Sequence, residues 1–82
     1  MGQRFHFHLM DGDQLITDDE GSDLPDFYAA RREGEMAARE LLAEAIKAGQ
    51  SRVPEAFVIA DEAGRELGRV PLGDVLPQPF RK

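Results

Sequence analysis

Arg4-Phe5-His6-Phe7-His8-Leu9 alternates without a break, so a strand here sends Phe5, Phe7 and Leu9 to one face and Arg4, His6 and His8 to the other. Asp11-Gly12-Asp13 supplies turn residues that accept positive φ. Gln14-Leu15-Ile16-Thr17 then reads as the return strand of a hairpin that ends at Asp18-Asp19-Glu20-Gly21. Leu24-Pro25-Asp26 marks a helix entry, with Asp23 or Asp26 placed to accept from the exposed N–H groups of the first turn. Beyond it Phe27, Ala30, Gly34, Ala37, Leu41, Ala45 and Ala48 recur at spacings of three and four, and Ala38, Leu42 and Ile46 widen the stripe. The spacing predicts one long helix over residues 26–48, stopped by Gly49. On its outer side Glu35 and Arg39 stand four apart in the favourable order. Its small buried residues let the helix axis lie close to a sheet that carries large Phe side chains.

Ala56-Phe57-Val58-Ile59-Ala60 is a continuous apolar run, Asp61-Glu62-Ala63-Gly64 a turn, and residues 66–72 a second return strand, with Pro71 pointing to a sheet edge. The expected fold is therefore α+β, ββαββ: a four-stranded antiparallel sheet of order 2-1-3-4 with one long helix packed on one face. A single domain is expected over residues 1–76, and residues 77–82 form an extended, Pro-containing tail. The sheet face away from the helix carries Arg4, His6 and His8 beside Val58 and Ala60, too apolar to be simply wet and too polar to be core. It calls for a cover, either the C-terminal segment with Leu76 and Phe80 or the same face of a second subunit across a two-fold axis. These five residues are the expected interaction surface, and a homodimer is the expected assembly.

Size and charge narrow the functions. With 82 residues there is one core and no second lobe to close over a substrate. A chain that small typically has only ~5 kcal/mol of net stability, which self-association would support. There is no cysteine, so disulfides, thiolate metal sites and thiol chemistry are excluded. No signal-like apolar core and no membrane-spanning run are present, which makes the cytoplasm the expected location and a membrane partner unexpected. The net charge is −6, and no Lys or Arg falls between Arg4 and Arg31 while acids accumulate there, so no nucleic-acid partner is expected.

Candidate chemistry is sparse. In His6-x-His8 two imidazoles project from one strand face and could share a metal, but the local sequence offers no third ligand. The plainer reading is a pair of half-exposed histidines at an interface, able to titrate near neutral pH. The acids of residues 11–21 lack the ligand alternation of a calcium loop and read as solvated turn carboxylates and helix N-terminal acids. Ser22 and Ser51 have no triad-like context, and the glycines form no phosphate loop. No catalytic residue, metal or cofactor is assigned, and the balance falls against an enzyme. The expected function is a small non-enzymatic interaction or regulatory module that self-associates through the open sheet face. The alternatives are a His-based metal-binding protein or small hydrolase, and an antitoxin-like acidic neutraliser of a basic partner.

The aromatic-His strand with Asp11-Gly12, then Asp18-x-Glu20-Gly21, Leu24-Pro25-Asp26, Ala29-Ala30-Arg31 and Asp61-Glu62-Ala63-Gly64-Arg65 resembles a family of short bacterial proteins catalogued as a domain of unknown function. The resemblance implies a bacterial cytoplasmic setting and brings no activity with it. Residues 5–46 also resemble small antitoxins, from which the expected fold departs by lacking a third strand before the helix and a DNA-binding element.

Overall fold

The computed structural model describes residues 2–77. Five strands and one long helix follow in the order β1 (Gln3–Asp11), β2 (Gln14–Ile16), β3 (Ser22–Leu24), α1 (Phe27–Lys47), β4 (Ala56–Ala60) and β5 (Glu66–Pro71), and a single 3-10 turn covers Leu72–Val75. The sheet is antiparallel with β2-β1-β4-β5 in spatial order, and β3 also pairs with β1. The four expected strands thus lie in the expected order, with a fifth beside them.

β3 corrects the reading that hairpin, helix and hairpin exhaust the chain. It also removes one departure from the antitoxins, because a third strand does precede the helix. Its register explains it. β2 pairs Ile16 with Leu9, and β3 pairs Ser22 with Phe5, so both lie along the same edge of β1. Between these pairs, His6, Phe7 and His8 of β1 face the five residues from Thr17 to Gly21. β2 and β3 are one edge strand broken by a wide bulge, a device that bends an edge and ends its pairing.

Helix α1 begins and ends where its polar signals place it. Asp26 Oδ1 accepts the Ala29 N–H at 2.8 Å, closing the N-terminus. At the other end Gly49 takes φ +69°, and the Gly49 and Gln50 N–H groups bond back to the carbonyls of Ile46 and Ala45. On the outer face the ion pair is Arg31–Glu35 at 3.9 Å rather than Glu35–Arg39. Ala30, Gly34, Ala38 and Leu42 are buried against the core of Phe5, Ile59, Val70 and Leu72, and Ala45 is buried a turn further on. A methyl group at Gly34 would stand 3.2 Å from Val70 Cγ2 and 3.6 Å from Phe7 Cε1, which is the close approach that the small stripe implies.

Leu76 packs on this core together with Val75, beside Leu42, Ala43 and Ile46 of α1. It therefore lies on the helix side of the sheet and does not cover the open face. The 3-10 turn carries the chain that way, since Leu72 is already core. Phe80, the other expected cover, lies outside the described residues.

Candidate site: the open sheet face around His6 and His8

The bulge leaves the Phe7 N–H without a neighbouring strand, and Asp18 fills the gap. Its Oδ2 accepts the Phe7 N–H at 3.0 Å and its Oδ1 accepts the Gly21 N–H at 3.1 Å. Burial opposes ionisation of this carboxyl, but the N–H groups of Phe7, Gly21 and Glu20 and the His6 ring outweigh it and hold its pKa below the usual range. Asp18 is a structural acceptor, then, not the solvated turn acid that its neighbours suggest.

The backbone of the same residue orients both imidazoles. The Asp18 carbonyl faces His6 Nδ1 at 2.7 Å, and the Asp18 N–H donates to His8 Nδ1 at 3.0 Å. A carbonyl accepts only, so His6 carries a proton on Nδ1. An N–H donates only, so His8 has a lone pair at Nδ1 and its proton on Nε2. The two rings stack with centroids 6.1 Å apart.

The far side of His6 meets the turn between β4 and β5. His6 Nε2 lies 2.8 Å from Glu62 Oε1, with the His6 side chain 14 % exposed and Glu62 68 %. Both ring nitrogens of His6 thus face oxygen acceptors, an environment that favours the imidazolium form. The bond to Glu62 and then that to the Asp18 carbonyl raise its pKa above 6.5, against a smaller effect of burial. The turn that presents Glu62 is itself held by Asp61, whose Oδ1 accepts the N–H groups of Ala63 and Arg65, with Gly64 at φ +87°.

Arg4 closes the end of the face. It donates to the Glu20 carbonyl and pairs with Asp23 at 3.3 Å and Glu62 at 4.0 Å. Gly21 fits between Arg4 and His6 at φ +74°. Any Cβ there would meet the Phe5 carbonyl oxygen at 2.9 Å and both side chains at 3.0 Å, so only glycine serves.

Val58 and Ala60 occupy the same face, as expected, but are 6 % and 1 % exposed within the single chain. His6 pairs across from Ala60, and His8 and Arg69 flank Val58. Arg69 is fixed by Glu66 at 2.7 and 3.2 Å and reaches Met10 Sδ at 3.0 Å. These longer side chains stand over the small apolar ones, so the apolar part of the face is covered from within.

What stays open is a shallow depression of about 250 Å³ lined by His6, His8, Thr17, Asp18, Asp61 and Glu62 among others. Among the described residues no three His, Asp or Glu side chains come together as metal ligands. No described helix is long and apolar enough to cross a membrane.

The face thus defines a small α+β domain in which a broken edge strand sets the Nδ1 atoms of two histidines against opposite backbone groups of one residue, the Asp18 carbonyl and the Asp18 N–H. The chain belongs to the family described as a domain of unknown function, DUF6894, whose model matches residues 4–73. Neither the curated proteins nor the solved structures include a match to it.

Proposed function

We propose that the chain is a small non-enzymatic interaction module of the cytoplasm that self-associates through the sheet face bearing Arg4, His6 and His8. The observation that carries this reading is the way the polar groups of that face are used. Asp18 is committed to backbone N–H groups, His6 is bonded at both nitrogens, and Asp61 holds its own turn. Groups so engaged are poor acids, bases or metal ligands, and good fixed features for recognition.

Two-fold association requires a self-complementary surface. Arg4 and Arg69 supply positive charge on this face, and Glu62 and Glu66 negative charge, all partly exposed. With Val58 and Ala60 already shaded, the attraction rests on this charge pattern more than on apolar area.

Sedimentation velocity at tens of micromolar tests the idea. The native chain is expected to run as a dimer, and Arg69→Glu, which sets a second carboxylate beside Glu66 in place of the positive charge there, as a monomer with unchanged circular dichroism. A native chain that stays monomeric would overturn the proposal.

A second reading gains support from β3, which brings the order of elements closer to that of the antitoxins. On it, Asp18, Asp19, Glu20 and Asp23 would meet a basic partner. Capture of that partner that persists after neutralising Asp19 and Glu20, both exposed, would count against it.

A further inference from the structure

Two loops that are distant in sequence meet at one ring. Residues 17–21 approach His6 from the β2–β3 edge and residues 61–64 from the end of β4, and His6 bonds to both, at 2.7 Å to the Asp18 carbonyl and 2.8 Å to the Glu62 carboxylate. Those two bonds together need two ring protons, because neither oxygen can donate. We propose that His6 and Glu62 form a proton-operated clasp: the doubly protonated ring ties the two loops together, and loss of one proton to solvent releases Glu62.

The direction of the change follows from which bond can survive. Nδ1–H remains on the Asp18 carbonyl, whose own N–H is fixed on His8, so the proton leaves Nε2. A lone pair then faces the Glu62 carboxylate, acceptor against acceptor. Glu62 is 68 % exposed and, among the described residues, its remaining side-chain tie is to Arg4 at 4.0 Å, a weak hold.

The charged and titratable groups around the ring are Arg4 and His8 on β1, Asp18 and Asp19 in the bulge, and Asp61 and Glu62 in the turn. Asp18, Asp19, Asp61 and Glu62 favour the imidazolium by charge and Arg4 opposes it. Among the described residues, only Glu62 and the Asp18 carbonyl contact its ring nitrogens.

The released state offers a partner different chemistry. His6 would present an acceptor at Nε2 beside the Nε2–H donor of His8, on stacked rings at the floor of the depression. The closed state presents a carboxylate there instead. This clasp is internal to one chain and does not depend on self-association.

Nitrogen-15 NMR on the full chain, at a concentration where sedimentation shows one species, tests it over about pH 5 to 9, the range in which histidine titrates. The His6 ring nitrogens should both be protonated at the acid end of that range, with a midpoint above 6.5, and the backbone amides of Glu62, Ala63 and Gly64 should shift with that same midpoint. In Glu62→Gln the midpoint should fall towards 6.5 and the turn amides should no longer follow it. A native His6 with an ordinary midpoint, turn amides indifferent to its titration, or a midpoint unchanged by Glu62→Gln would each overturn the proposal. Failure of the dimer would show in sedimentation and leave these shifts unaltered.

Discussion

Asp18 shows how much a single side chain can fix when it replaces a missing strand. Its two oxygens take the N–H groups of Phe7 and Gly21, and its backbone sets the proton positions of His6 and His8. The isosteric Asp18→Asn keeps one acceptor and turns the other into a donor facing an N–H group. That mismatch is expected to cost about 1–3 kcal/mol, the range for a part-buried donor left without an acceptor. The urea midpoint should fall with an unchanged slope, and the edge around Thr17–Gly21 should lose amide protection before the helix does. Unaltered stability in Asp18→Asn would mean that water serves those N–H groups equally well.

At the scale of elements, helix α1 was readable because a 21-residue segment repeats its apolar stripe several times and carries signals at both ends. Its N-terminal cap makes a quantitative expectation. Asp26→Ala removes the acceptor of the Ala29 N–H and should destabilise by about 1 kcal/mol, whereas Asp26→Ser should restore most of the loss. Thermal melts of the three proteins at one pH compare them directly. β1 and β4 were equally legible, one from alternation and one from its apolar run. β3 was not. Ser22-Asp23-Leu24 has no apolar alternation, and it is a strand only because nine-residue β1 extends past the three pairs it makes with β2. The site divides the same way. Alternation places Arg4, His6 and His8 on one face, yet nothing local singles out Glu62, 56 residues from His6, among 16 acids. Asp18 was hidden by its acidic neighbours, since composition gives a solvated acid and a bonded one the same appearance.

For the molecule as a whole, the shifted groups enclose a pH range of greatest stability. His6 has its folded pKa raised above 6.5, so its contribution is complete below that value and is lost as pH rises through the folded pKa. Asp18 is lowered from 3.8 and Glu66 from 4.5, the latter by its bond to Arg69, so theirs are complete above those values and lost as pH falls through the folded pKa. Stability should therefore plateau between about pH 4.5 and 6.5 and decline on both sides. A net charge of −6 at pH 7 also disfavours the compact state as pH rises, so the alkaline decline of the native chain alone does not isolate the histidine. The difference between native and Glu62→Gln does. Removing the Glu62 charge takes away the largest cause of the His6 shift, and the two urea midpoints should lie furthest apart on the plateau and converge above it. Parallel curves across that range would assign the alkaline decline to general repulsion. Convergence would place the sensitivity of the whole fold in one ring held between two loops.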